Sequence, residues 1–371
     1  MRKLLFVFGT RPEAIKMAPV IVECRKYPES LEVKVCLTGQ HREMLHQVLR
    51  FFDISGDFDL ALMQPNQTLF DITARALVAL EKVLSEYSPD IVLVQGDTTS
   101  AFVGALAAFY KKIKVAHIEA GLRSYAKYSP FPEEMNRKLI GSLTDIHFTP
   151  TAKATENLKA ENTAGTICQV GNTVIDALLY GVEKVRSTGA PDNYFPFLDP
   201  AKRTILVTGH RRESFGRPFE EICDALVTLA AEYPDVQIIY PVHLNPNIQE
   251  VVNARMKGVP SIFLVPPVEY PEMLWLLDKC YFVITDSGGI QEEAPSLGKP
   301  VLVIRDVTER EEGIAAGTAV LVGTDKRKIL LHARLLLDNK AEYEKMAKAV
   351  NPYGDGTSAR QITEILLTDK I

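Results

Sequence analysis

Two doubly wound α/β domains with a ligand cleft between them are the fold that this sequence predicts, on three observations. The chain has 371 residues, more than one hydrophobic core comfortably serves. Short β-branched runs alternate with amphipathic, helix-length stretches in two successive series. Between the series lies 187–202, STGAPDNYFPFLDPAK, whose Pro, Asp and Gly mark a connection rather than an element.

The first series of strands falls at 3–8, 33–37, 90–95, 114–118, 145–148 and 166–170. The second falls at 203–208, 236–241, 261–265, 281–285, 300–304 and 319–322. Runs such as DIVLVQ and RTILVT are apolar almost throughout instead of alternating, which suits parallel sheets covered on both faces. Helices are expected at 68–87, 98–111, 216–232 and 325–337, with a last one near 356–368 after the turn-rich segment 351–356. Domains are therefore expected over 1–186 and 203–350, with 351–371 packing back on the first. Ligands of such sheets bind at the carboxyl ends of the strands.

Composition narrows the function. Hydrophobic residues make up 46% and charged residues 24%, ordinary for a globular protein, and the net charge of -5 argues against wholesale nucleic-acid binding. The five cysteines are widely spaced and include no C-x-x-C pair, so reduced thiols are expected. The apolar run at the N-terminus is too short for a secretory signal, and no stretch has the length of a membrane span. A cytoplasmic location is expected. The histidines lack paired ligand spacing, so no metal site is expected.

The stretch FGTRPEAIKMAP, residues 8–19, follows the first strand where a nucleotide-binding loop usually sits. Thr10 suits an N-cap, Pro12 the first turn, and Glu13 completes a T-x-x-E capping box. Arg11 and Lys16 lie in the first turns, where the helix dipole disfavours cations. A bound anion reverses that penalty, although surface solvation accounts equally well for an isolated pair. A second cradle is expected at TDSGGIQEEAPSLGKP, where Ser287, Gly288 and Gly289 follow a strand and Glu293 lies one turn beyond, in reach of a ribose diol. In TGHRRESFGRP, His210, Arg211 and Arg212 follow another strand, and His243 in YPVHLNP is a weaker candidate of the same kind.

Three carboxylates follow strand ends in the first half: Asp97 in GDTT, Glu119 in HIEAGLR, and Glu133 in PFPEEMNR. Asp97 has a plain structural reading as a helix N-cap. Glu133 has one as an i,i+4 partner of Arg137, worth only ~0.3 kcal/mol on an exposed helix. Glu119 has neither. Three acids at strand ends with Arg123 and Arg137 near in sequence suggest proton-transfer chemistry in a charged cleft.

The strings FGTRPEAIKMAP, QHREML, GDTT, EAGLR, SPFPEEMNR, GNTVIDAL, TGHRRESFG, YPVHLNPN, TDSGGIQEEAPSLGKPVLV and NPYGDG together resemble the bacterial non-hydrolysing UDP-N-acetylglucosamine 2-epimerases, in order and over essentially the whole chain. The resemblance implies a GT-B-like fold of two Rossmann-like domains, a homodimer, no added cofactor, and interconversion of UDP-N-acetylglucosamine and UDP-N-acetylmannosamine, a precursor for envelope polysaccharide. It implies that Arg11, Lys16, His210, Ser287, Gly288, Gly289, Glu293 and Arg310 hold the nucleotide sugar, with Val268 and Met273 near the uracil. Asp97, Glu119 and Glu133 become the acid–base set, joined by His210 as a catalytic candidate and by Arg137 beside the substrate. Gln40, Arg211 and His243 are placed at a second, regulatory substrate molecule. The chain departs from common members in having Glu43, Asn66, Gln95 and Glu311, and the apolar Val268 and Met273.

That reaction makes sense of the residue types. No carbonyl adjoins carbon 2 of the sugar, so simple deprotonation there is unfavourable. Loss of UDP from carbon 1 acidifies the neighbouring hydrogen, giving a glycal, and re-addition with protonation from the other face yields the epimer. The route needs cations for the departing diphosphate and carboxylates for the proton steps, which are the residue types clustered at the strand ends. Which carboxylate is base and which is acid stays open at this stage.

Overall fold

Every predicted strand forms, and among the described residues every strand pair is parallel. The computed structural model describes residues 1–39, 42–63, 67–187, 194–211 and 214–368. Among them the first sheet contains β1 (Arg2–Phe8), β2 (Leu31–Leu37), β3 (Phe58–Asp59), β4 (Ile91–Gln95), β5 (Lys114–Ile118), β6 (Ile146–Thr149) and β7 (Thr166–Gln169). Its order is β3-β2-β1-β4-β5-β6-β7. The second contains β8 (Arg203–Thr208), β9 (Val236–Pro241), β10 (Ile262–Val265), β11 (Phe282–Thr285), β12 (Val301–Val303) and β13 (Ala319–Leu321), in the order β10-β9-β8-β11-β12-β13. Both are Rossmann orders: the winding reverses between β1 and β4 in one sheet and between β8 and β11 in the other. Burial explains the continuous apolar runs, since Leu4 to Phe8 of β1 and Val92 to Val94 of β4 are wholly inaccessible to solvent.

By its internal contacts the chain divides into two compact units. One comprises Met1–Ala177 with Tyr353–Ile371, and the other Leu178–Pro352. The division falls inside the helix Thr173–Ser187 rather than at 186, because the later part of that helix is tied to the second unit, as in the 3.2 Å bond from Arg186 Nε to Asp278. In the first unit the C-terminal helix Ser358–Leu367 is anchored by Asp176, which accepts from the Ala359 N–H at 2.8 Å, and it buries Ile362 and Leu366. The Asn172 N–H meets the Tyr353 carbonyl at 2.7 Å alongside.

Strand β3 was not foreseen. It is two residues long, pairing Phe58 and Asp59 with Cys36 and Leu37, too short for any periodicity to register.

At each point where the winding reverses, a buried acid ties together the two turns that leave the neighbouring strands. In the first unit it is Glu13, which is 1% exposed. Its Oε2 accepts from Gly9 N–H (3.1 Å), Thr10 N–H (2.8 Å) and the Thr10 hydroxyl (2.7 Å), and its Oε1 from the Thr98 hydroxyl (2.6 Å). The capping box thus also reaches across to the turn after β4. Burial raises the Glu13 pKa against the opposing effect of these bonds. In the second unit it is Asp286, whose Oδ2 accepts from the N–H groups of His210 (2.6 Å) and Arg211 (2.8 Å), joining the turns after β8 and β11.

The Glu13 bonds predict an asymmetric mutational response. In Glu13→Gln the amide oxygen can take the Oε2 position while its NH₂ faces the Thr98 hydroxyl, which can accept. Glu13→Ala instead strips the buried Gly9 and Thr10 N–H groups, at about 1–3 kcal/mol for each group left unsatisfied. Urea unfolding should therefore shift strongly to lower midpoint for Glu13→Ala and much less for Glu13→Gln.

Candidate active site

The three predicted acids all lie in the first unit, and two of them are held on one guanidinium. Arg137, 5% exposed in the helix Glu133–Leu143, directs NH2 to Asp97 Oδ2 at 2.6 Å and to Glu119 Oε1 at 3.4 Å, while its NH1 donates to the Glu119 carbonyl. Burial opposes the charge on Arg137, but Asp97 and Glu119 outweigh it and raise its pKa. Lys16 donates to Glu119 Oε2 from the opposite side, one turn into the helix Arg11–Cys24, and Asn172 Nδ2 lies 3.3 Å from the same oxygen. Arg11 opens that helix and is half-buried.

The backbone enforces this arrangement. Glu119 sits directly after β5 with φ of 62°, the left-handed region that a non-glycine residue occupies at a cost. Two residues on, Gly121 has φ of 89°, and a Cβ there would stand 2.3 Å from the Ala154 carbonyl oxygen, so no side chain fits. Asp97 follows β4; its carbonyl accepts from Asn136 Nδ2 at 2.9 Å, and that of Gly96 faces His117 Nε2 at 2.7 Å. Burial, with Arg137 adding to it, lowers His117 to about 3, so its ring is neutral and Nε2 carries the proton toward the carbonyl.

Two structural readings of the acids fail. The N-cap of the helix Thr99–Tyr110 is Thr98, which accepts from Ala101 N–H at 3.0 Å, not Asp97. Asp97 is thereby left for Arg137. Glu133 does not pair with Arg137, which is committed to the other two acids. Its half-buried side chain has an enclosed Oε2 with no hydrogen-bond partner. The i,i+4 ion pair of this helix belongs to the next residue, with Lys138 Nζ 3.8 Å from Glu134. Arg123 also departs from expectation: it makes a two-pronged pair with Glu161, at 2.9 and 2.7 Å, and does not join the acids.

In the second unit His210, Arg211 and the turn Ser287–Gly289 follow the ends of β8 and β11. Thr208 and Thr285, the last residues of these neighbouring strands, share a hydroxyl hydrogen bond of 2.6 Å, and Tyr240 holds the Gly209 carbonyl at 2.6 Å. His210 is 45% exposed, its Nδ1 3.3 Å from Asp286 Oδ1, and its ring stacks on His243 with centroids 5.4 Å apart and planes 13° apart. Burial works against the charge of Asp286, but His210 and the two N–H groups prevail and hold its carboxyl below the ordinary value. The ring of His243 is oriented in turn by Asn245 N–H, 3.1 Å from Nδ1. Arg211 is half-buried beside His210.

Ser287 is the N-cap of the short helix Gly288–Glu293. The guanidinium of Arg310 lies over Gly288, 3.4 Å from where a Cβ would be, and its Nε donates to Glu292 at 2.7 Å. Gly289 is exposed, and Glu293 is half-buried one turn on. Val268 and Met273 are half-buried at the start of the helix Tyr270–Lys279. Gln40 and Arg212, with the departure at Asn66, lie outside the described residues, as does the side chain of Glu43.

Asn136, Asn172, Asp286 and Glu292 went unassigned in the sequence reading, and Glu13 was read only as a capping-box residue, not as the link to Thr98. Asp286 carried the best signal, standing between a strand and a glycine turn. Asn136 and Asn172 sit within strings already noted, but an amide bonded to a distant carbonyl or carboxylate leaves no local spacing to read.

Comparison with known proteins agrees over the full chain. The family model described as UDP-N-acetylglucosamine 2-epimerase matches residues 23–367. The UDP-N-acetylglucosamine 2-epimerase of Escherichia coli (strain K12) is 54% identical over 376 residues, covering 100% of this chain and 99% of that protein. That of Campylobacter jejuni is 52% identical over 380 residues, with 100% and 98% covered. The crystal structure of UDP-GlcNAc 2-epimerase from Neisseria meningitidis bound to UDP-GlcNAc superposes with a TM-score of 0.90 at 48% identity, covering 98% of this chain and 99% of that one. On sequence and fold together, the chain belongs to the UDP-N-acetylglucosamine 2-epimerase family.

Proposed function

We propose that this protein interconverts UDP-N-acetylglucosamine and UDP-N-acetylmannosamine without net hydrolysis, by eliminating UDP to a glycal and adding it back. The observation that carries the reading is the pairing of Asp97 and Glu119 on one buried guanidinium, with Lys16 on the second acid. An ordinary surface has no use for two acids held this way. A reaction with proton removal and proton return at one carbon does.

In this reading Asp97, Glu119 and Glu133 serve the proton steps. The enclosed, unpartnered Oε2 of Glu133 suits a group that receives its partner with the substrate. Arg11, Lys16, His210, Arg310 and the turn Ser287–Gly289 bind the diphosphate, each such donor contributing ~10²–10³ in rate if it acts on the leaving group. Glu293 takes the ribose, and Val268 and Met273 form the apolar wall for uracil. Arg211 and His243, with Gln40, hold a second, regulatory nucleotide sugar; the stacking of His243 on His210 gives such a ligand direct access to a substrate-binding ring. The protein acts in the cytoplasm as a homodimer and supplies N-acetylmannosamine precursors for polysaccharide synthesis. Exposed Val78, Phe109 and Tyr110 on the helices Leu69–Tyr87 and Thr99–Tyr110 support self-association.

Incubation with UDP-N-acetylglucosamine alone in deuterium oxide tests the reaction. NMR should show UDP-N-acetylmannosamine carrying deuterium at carbon 2; no exchange, or steady accumulation of free sugar, would rule the proposal out. The amide variants Asp97→Asn, Glu119→Gln and Glu133→Gln should each lose turnover by orders of magnitude while UDP titrations stay within a few-fold of the parent. Arg11→Ala and His210→Ala should instead weaken UDP affinity and rate together, and parental affinity in both would remove them from the diphosphate site.

A further inference from the structure

Asp286 is a buried carboxylate whose two oxygens are used unequally. It is 2% exposed, in the turn after β11, and its Oδ2 accepts the N–H groups of His210 and Arg211 at 2.6 and 2.8 Å. Oδ1 is also enclosed, yet no hydrogen bond closes on it; the group that faces it is His210 Nδ1, 3.3 Å away. A buried carboxylate oxygen without a donor is costly, and a small rotation of the half-exposed His210 ring is enough to supply one.

That oxygen decides where the ring keeps its proton. Burial opposes the charge of Asp286, but His210 and the two N–H groups hold its carboxyl below the ordinary value, so it is ionised at neutral pH. An ionised carboxylate only accepts: a lone pair on Nδ1 would repel it, whereas an Nδ1–H satisfies it. His243 has the opposite arrangement. Its Nδ1 accepts from Asn245 N–H at 3.1 Å, so its own proton sits on Nε2. The two rings stack with planes 13° apart, yet in the neutral state one offers a bare Nε2 and the other an N–H. The other charged or titratable groups of the surrounding turns are Arg211 beside it and Tyr240, whose hydroxyl is bound to the Gly209 carbonyl at 2.6 Å. Beyond the Ser287–Gly289 turn come Glu292, bonded to Arg310, and Glu293.

We infer that Asp286 is a positioning residue for His210: it holds the ring proton on Nδ1, so that Nε2 donates to the diphosphate only while the imidazole carries its second proton. This rests on the functional reading above, in which His210 binds the diphosphate, and deepens it. To phosphate oxygens a neutral His210 offers only a lone pair from Nε2, and a charged one offers an N–H. One proton therefore switches the ring between releasing and gripping the ligand. The same carboxylate fixes the backbone of the turn through Oδ2, so ring position and ring tautomer have a common origin.

Substitution by asparagine separates the two tasks. In Asp286→Asn the amide oxygen can keep both backbone N–H groups, but its NH₂ then faces Nδ1, which must become the acceptor and send the ring proton to Nε2. ¹⁵N NMR of histidine-labelled protein reads the tautomer directly, with the His210 signals assigned by their loss in His210→Ala. Where the ring is neutral, the parent should carry its proton on Nδ1 and Asp286→Asn on Nε2. Apparent affinity for UDP-N-acetylglucosamine, whose diphosphate has no ionisation near neutral pH, is followed by calorimetry. In the parent it should fall by up to about tenfold per pH unit as His210 loses its second proton. That component should be absent from His210→Ala and largely absent from Asp286→Asn, which keeps an N–H donor on the neutral ring. A neutral parent ring with its proton on Nε2 overturns the inference, and this spectrum decides even where Asp286→Asn fails to fold. An Asp286→Asn ring with the proton still on Nδ1, or with the parental pH dependence of binding, overturns it too; all three results leave the epimerase reading intact. Parental affinity in His210→Ala, or failure of the parent to bind the nucleotide sugar, overturns instead the functional reading on which the inference rests, whatever the tautomer.

Discussion

The first unit depends on keeping charge inside a sheet edge that is otherwise apolar. Arg137, Asp97, Glu119 and Lys16 sit at the carboxyl ends of β4 and β5, directly above strands whose side chains are almost wholly buried. Isolated charges there would be expensive, by several kcal/mol for each ion after relaxation. They are tolerable because each acid faces a cation and the backbone carbonyls nearby are also satisfied: Glu119 by Arg137, Asp97 by Asn136, and Gly96 by His117. The arrangement contributes less to stability than to placement. Two carboxylates are fixed before any ligand arrives, so little reorganisation is left for the reaction step.

The two buried struts extend the same logic to the turns. A Rossmann sheet places two loops side by side where its winding reverses, and nothing in the sheet itself holds those loops in register. Glu13 does so in one unit, accepting the Gly9 and Thr10 N–H groups of its own turn and the Thr98 hydroxyl of the next, and Asp286 in the other, accepting the His210 and Arg211 N–H groups of the neighbouring turn. The two acids come from different positions, one from a helix and the other from a turn after a strand. Their shared feature is chemical. A carboxylate offers enough lone pairs to satisfy several backbone N–H groups at once.

The layout was legible where the signal is local and repeated. Apolar runs such as LLFVF and IVLVQ announced parallel strands, and T-x-x-E announced the first helix, because both depend on neighbours a few residues apart. Strand ends then pointed to Asp97, Glu119 and His210. What stayed hidden was partner choice. Arg137 is four residues from Glu133, which made an i,i+4 pair the natural expectation, yet it bonds to acids 40 and 18 residues away. Arg123 is four residues from Glu119 in sequence but belongs to Glu161. A guanidinium swings through several ångströms on its stem, so sequence distance says little about which carboxylate it meets.

That limit bears on how the acids divide their labour. Asp97 and Glu119 look equivalent in sequence, each following a strand by one or two residues. Their surroundings are not equivalent: Asp97 is 30% exposed and holds the shorter contact to Arg137, whereas Glu119 is 5% exposed and leans on a lysine at the solvent side. Burial disfavours the charged form, so the enclosed Glu119 depends on its cations more than the partly exposed Asp97 does. Unequal access to counter-charge, more than any difference between aspartate and glutamate, is therefore what sets these two neighbouring carboxylates apart in the folded chain.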